Sequence, residues 1–96
     1  MSQTLLSRTV RIANKRGLHA RASAKFVTLA SGLKATVRVH KVGHADNEVV
    51  GTSIMGLMML AASPGCSIRV TASGPEAQQV MDALEALISA RFGEEI

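Results

Sequence analysis

One histidine in this chain stands where it could act as a nucleophile. The run Gly17-Leu18-His19-Ala20-Arg21-Ala22-Ser23-Ala24-Lys25-Phe26 puts His19 at the point where a loop becomes a helix. A helix start presents unpaired backbone N–H groups and roughly half a positive charge, which together make an anion site. The same field disfavours an imidazolium and so favours a neutral, nucleophilic ring. Gly17 allows the loop a backbone conformation that other residues resist. Arg21, two residues on, can aim a planar guanidinium at the same anion. These parts suffice to hold a phosphoryl group on an imidazole nitrogen with no metal and no cofactor. They equally describe an ordinary helix-capping histidine beside a solvated arginine, and local chemistry alone does not choose.

The remaining reactive residues read differently. His40 and His44 are four apart, but on strand and turn residues that spacing does not bring side chains together as it would on a helix. Without a cysteine pair or a carboxylate cluster nearby, they read as surface histidines and no metal site is expected. Cys66 is the sole cysteine. It can form no intramolecular disulfide and reads as a small packing residue in a reducing compartment.

Positioning these groups requires a scaffold, and the hydrophobic periodicity outlines one. Residues 8–13 alternate, with Val10 and Ile12 on one side and Arg11 and Ala13 on the other, as in a half-buried strand. Turn chemistry at Asn14-Lys15-Arg16-Gly17 ends it. Ala22, Phe26, Leu29 and Ala30 then share a helical face, and Gly32 is the expected stop. Val37 and Val39 alternate with Thr36, Arg38 and His40, and Gly43 turns the chain into a short strand near Asn47–Val50. Thr52 or Ser53 caps a short helix to about Ala62, ahead of Pro64-Gly65. Ile68, Val70 and Ala72 mark another strand. Ala77, Val80, Met81, Leu84, Leu87 and Ile88 stripe a closing helix that Gly93 ends. The order is β-α-β-β-α-β-α. Strands apolar on one face only imply a mostly antiparallel sheet with helices on one side, an open-faced α/β sandwich of the α+β class. Strand order is not fixed by the pattern, since ferredoxin-like folds begin with the same elements.

Size and composition narrow the rest. Ninety-six residues make one domain spanning 1–96, because domains usually need about 50–200 residues. An apolar fraction of 47% is enough for a packed core and argues against wholesale disorder. The formal charge of +4 suggests an acidic partner without naming it. Neither Met1–Val10 nor the apolar stretch Ile54–Ala62 is long enough for a signal peptide's hydrophobic region or a membrane span, so a soluble, cytoplasmic protein is expected. The second helix carries Ile54, Met55, Leu57, Met58, Met59 and Leu60, apolar almost all round. So small a chain has too little mass to cover both its sides. Part of this helix should therefore lie exposed as an adaptable docking patch.

Two stretches decide between the open readings. Gly17-Leu18-His19-Ala20-Arg21, together with Thr52-Ser53-Ile54-Met55-Gly56-Leu57-Met58, resembles the paired signature of the HPr family of phosphoenolpyruvate-dependent phosphotransferase systems. Spacing, chain length and element order fit from about residue 8 to residue 90. The resemblance implies a four-stranded antiparallel sheet in order 1-4-2-3 with three helices on one face. It implies that His19 accepts a phosphoryl group on Nδ1 from an enzyme I and donates it to enzyme IIA proteins, with Arg21 steadying the group in transit. Ser53 matches a position phosphorylated in many relatives by an HPr kinase/phosphorylase. Ala20, Ala24, Ile54, Met55 and Met58 match the partner-binding surface. On this reading the chain is a phosphocarrier and a protein substrate, not an enzyme.

Two positions depart from the family pattern. Ala22 stands where many members have proline, a tolerable change in a first helical turn. Arg16 replaces a residue that is often small and polar, and adds a cation near the anion site. Two rival readings fit these residues less well. An RNA-binding module would use Arg11, Arg38 and Arg69 on the open sheet face, but such modules stack bases on aromatic residues, and Phe26 and Phe92 fall on predicted helices. A regulator keeping only the Ser53 switch would have no need of both His19 and Arg21.

Overall fold

The computed structural model describes residues 5–94. The reading of the first ten residues can be followed only from Leu5, because residues 1–4 lie outside the described part, as do 95 and 96. Strands β1 (Leu5–Arg11), β2 (Thr36–Lys41), β3 (Val49–Val50) and β4 (Ser67–Ser73) form one antiparallel sheet in the order β1-β4-β2-β3. Helices α1 (Ala20–Ser31), α2 (Ile54–Met59) and α3 (Ala77–Ser89) cover one face. This is the open-faced α+β sandwich expected from the pattern, with the strand order that the resemblance implied.

Alternation explains the layers. Val37, Val39, Ile68, Val70 and Ala72 are buried under the helices while Arg38 and Arg69 are exposed on the open face. Pairing of Thr9 with Arg69 and of His40 with Arg69 aligns that face across three strands. The helical stripes meet it from the other side: Ala22, Phe26 and Ala30 from α1, Leu57 from α2, and Ala77, Val80, Met81, Leu84 and Ile88 from α3. Burying a side chain such as Phe26 or Leu84 contributes roughly 1.5–3 kcal/mol.

Four boundaries differ from the sequence reading, each for a local reason. Strand β1 starts at Leu5 and ends at Arg11, rather than spanning 8–13. The adjacent Leu5 and Leu6 mask its period of two, because Leu5 points to the open face and is exposed. Ile12 has left the ladder but stays tied to the 65–66 turn by backbone bonds of 2.8 Å in each direction. Strand β3 is only Val49–Val50, because Ala45–Asn47 take up a 3-10 turn. Helix α2 stops at Met59, and Ala61 at φ 54° turns the chain away. Helix α3 stops at Ser89, not at Gly93: Arg91 and Phe92 adopt φ 56° and 57° and swing the Phe92 ring fully into the core. Left-handed residues cost about 1–2 kcal/mol each, and burying a phenylalanine returns a gain of the same order.

Candidate functional site

His19 is the N-cap of α1, and its backbone and side chain both act in that role. Its carbonyl accepts from the Ser23 N–H at 2.8 Å, and its Nδ1 accepts from the Arg21 N–H at 3.3 Å. The second contact is long, so it orients the ring more than it stabilises the helix. The preceding loop is pinned by Gly17 at φ 62°. A Cβ at Gly17 would lie 2.3 Å from the carbonyl oxygen of Ala62, the same oxygen that accepts the Leu18 N–H at 3.0 Å. Glycine at this position is therefore fixed by both its backbone conformation and its close approach to the segment after α2. Ser23 closes the turn by donating its hydroxyl to the Leu18 carbonyl at 3.2 Å.

The ring's other nitrogen meets a group that the sequence reading did not identify. Nε2 of His19 is hydrogen-bonded to Glu94 Oε2. The buried Asn14, read from sequence only as a turn residue, donates through Nδ2 to Glu94 Oε1 at 3.1 Å and to the Gly17 carbonyl at 2.7 Å. The hydrogen bond from His19 holds the Glu94 carboxyl below its usual range, against the opposing effect of burial. The Asn14 amide and the positive charge of Arg16 act in the same direction as His19. Glu94 therefore stays ionised at neutral pH and below. Nothing in the local sequence around residue 94 signals this contact, since it depends on the turn that buries Phe92.

His19 opens onto two hollows. One is cationic, lined by Lys15, Arg16, Arg21 and Lys25 together with Glu94. Arg21 is exposed, and its guanidinium pairs with no carboxylate among the described residues. The other hollow is walled by Leu18, Met58, Ala61 and Ala62. Its far side continues onto α2, where Ile54 and Met58 are each 41% exposed, Met55 68% and Met59 77%. On α1, Ala20 is exposed and Ala24 half-buried. The expected exposure of α2 is present, and Met59, which the resemblance did not single out, is its most open member.

Ser53 caps α2, and its Oγ accepts from the Gly56 N–H at 3.0 Å. It is half-buried and directly precedes Ile54 and Met55. His44 is exposed, whereas the His40 ring is largely covered, with Nδ1 3.9 Å from the Glu48 carboxylate, so the reading of His40 as a plain surface histidine needs amending. Half-buried Cys66 packs against the core, and hydrogen bonds from the Ser63 hydroxyl and backbone lower its thiol below the usual value. Both phenylalanines are buried, and with no Trp or Tyr in the chain the open sheet face offers no platform for base stacking. Among the described residues no helix is long and apolar enough to cross a membrane.

Comparison with known proteins follows the same lines. The family model described as "PTS HPr component phosphorylation site" matches residues 6–90. The chain is 48% identical over 90 residues to a phosphocarrier protein HPr of Cupriavidus necator, covering 94% of this chain and 98% of that one. It is 37% identical over 91 residues to a phosphocarrier protein NPr of Shewanella violacea, covering 95% and 97%. Among solved structures it resembles an HPr of Thermoanaerobacter tengcongensis, with TM-score 0.87, 38% identity and coverage of 95% and 99%. A phosphocarrier HPr of Bacillus anthracis gives TM-score 0.80 at 34% identity, covering 88% and 98%.

Proposed function

The chain belongs to the HPr family of phosphocarrier proteins, and from that membership we propose that it carries a phosphoryl group on Nδ1 of His19 between an enzyme I and enzyme IIA proteins in the cytoplasm, acting as one domain over residues 1–96. The observation that carries this reading is the placement of one histidine: His19 heads a full-length helix, beside four cations, at the edge of an exposed apolar surface. A carrier needs those three things together. The nucleophile must be reachable, the phosphoryl oxygens must be neutralised, and each partner must dock beside the ring. A two-step transfer tests the role. The chain is charged with labelled phosphoenolpyruvate and enzyme I, isolated, and offered to a IIA protein. The label should pass to the IIA protein and leave the chain free; label that stays on the chain would contradict a carrier role.

Arg21 is assigned to the phosphoryl oxygens. Its guanidinium is exposed and free of carboxylate partners among the described residues, so it can swing onto an anion at the helix start. Arg21→Lys keeps the charge and loses the planar fork. The expected result is charging slowed about tenfold, the order of one lost charge-assisted hydrogen bond, with melting temperature essentially unchanged. Transfer at the wild-type rate would remove Arg21 from the mechanism.

Docking is assigned to Ala20, Ala24, Ile54, Met55 and Met58. Donor and acceptor would share this surface, so the two compete and the carrier must shuttle between them. Met55 is well exposed, so Met55→Glu leaves the core intact while placing a charge where a partner buries apolar surface. Both partners should bind at least tenfold more weakly, measured by titration calorimetry. Chemical-shift mapping that puts the contact on the open sheet face instead would contradict the assignment.

A further inference from the structure

His19 makes one contact through each ring nitrogen, and the two contacts require the same placement of the proton. The Arg21 backbone N–H can only donate, so Nδ1 facing it offers a lone pair. An ionised Glu94 carboxylate can only accept, so Nε2 carries the proton. We propose that Glu94 is a positioning residue, which holds His19 as the Nε2-protonated tautomer and so presents the Nδ1 lone pair to the incoming phosphoryl group. This inference rests on the phosphocarrier reading given above.

The tail that delivers Glu94 is built for a fixed geometry. Phe92 is fully buried two residues before it, and its carbonyl accepts from the Lys25 ammonium, tying the tail to α1. Asn14 grips the carboxylate from the opposite side, and through the Gly17 carbonyl holds the loop that carries His19. Carboxylate and ring are thereby referenced to the same two elements. A hydrogen-bonded carboxylate behind a histidine is a general way to fix its tautomer and orientation.

The same contact suits the transfer step. The Nδ1 lone pair forms the N–P bond as the bond from phosphorus to the donor breaks, and that electron pair leaves with the donor. No proton moves. The His19 ring gains a formal positive charge, and its Nε2–H already points at an anion. When the group is passed on, the N–P electron pair returns to Nδ1 and the ring is neutral again. Glu94 thus stabilises the ring in its charge-bearing form at the nitrogen remote from the phosphoryl group, and at Nδ1 the incoming group has only the long 3.3 Å contact from the Arg21 N–H to displace.

Glu94→Gln in the full chain tests this, because the substitution is nearly isosteric and lies beyond α3. Gln can donate an N–H to Nε2, so a Nδ1-protonated population should appear in nitrogen-15 NMR of the neutral His19 ring, where the wild type shows Nε2–H alone. The kcat for charging by enzyme I and phosphoenolpyruvate should fall about ten- to a hundredfold, the range for removing a histidine's orienting partner. KM should be unchanged, since the α2 surface is untouched, and Glu94→Asp should recover part of the loss. A Glu94→Gln protein with the wild-type tautomer and wild-type kcat overturns the proposal. The NMR arm needs no phosphoryl donor, so the tautomer is decided even if enzyme I does not charge the chain. Absence of label on His19 in the wild type would defeat the carrier reading, whereas label on His19 with no effect of Glu94→Gln would defeat only this inference.

Discussion

Replacing His19 by alanine is expected to abolish labelling from phosphoenolpyruvate while leaving a folded protein. The chain has three histidines, and their surroundings separate them. His40 lies within β2 with a largely covered ring beside Glu48, and His44 precedes a 3-10 turn. Neither heads a helix longer than one turn, and neither lines the cationic hollow. Only His19 joins a lone pair at a helix start to neighbouring cations. The substitution costs the N-cap contact to Arg21 and the contact to Glu94. Loss of a good cap is worth about 0.5–2 kcal/mol, and this one is long, so the lower end applies. The core under α1 is set by Ala22, Phe26 and Ala30, which the change does not touch. The variant should also keep its docking surface and therefore slow wild-type charging when added in excess. Label persisting on His40 or His44 would sink the assignment.

Ser53→Asp is expected to slow charging of His19 by about tenfold or more, with stability close to wild type. The stability half follows from the cap. Ser53 Oγ accepts the Gly56 N–H, and aspartate caps as well as serine does. The rate half follows from what stands next in the chain. Ile54 and Met55 project into solvent immediately after Ser53, where a partner must bury apolar surface, and an unpaired anion at that edge opposes burial. A loss of about 1.4 kcal/mol in association is tenfold in affinity. A phosphate at Ser53 carries about −1.5 to −2 charges and should act more strongly than aspartate. We therefore propose Ser53 as a regulatory phosphorylation site that switches docking without refolding the chain. A Ser53→Asp protein charged as fast as wild type would leave Ser53 as a helix cap only.

Periodicity carried most of the scaffold into view before any coordinates. The stripe from Ala77 to Ile88 and the alternation at Val37–Val39 and Ile68–Ala72 each describe one buried face, and burial in the structure follows them except at Leu87, which is half-buried at the edge of the stripe. What periodicity cannot register is a change of direction without a glycine. Ala61, Arg91 and Phe92 take left-handed backbone conformations, and each displaced a helix end from its expected place. The same blind spot hid half of the site. His19, Gly17 and Arg21 are local in sequence, so the chemistry of a helix start could be read from them. Glu94 reaches His19 across 75 residues only because Phe92 turns inward, and Asn14 is recognisable as a partner only once that carboxylate is in place. The exposure of α2 was legible for a different reason: a helix apolar on every side cannot be covered by so small a chain.

The central claim is that one atom, Nδ1 of His19, receives the phosphoryl group. The most direct measurement charges the wild-type chain with enzyme I and phosphoenolpyruvate, then maps the phosphate by alkaline peptide mass spectrometry and phosphorus-31 NMR. The expected product is a single acid-labile, alkali-stable phosphohistidine on the peptide that contains His19, with the Nδ1 isomer's resonance. A phosphate found on another residue, or on Nε2 of His19 where Glu94 stands, would contradict the account.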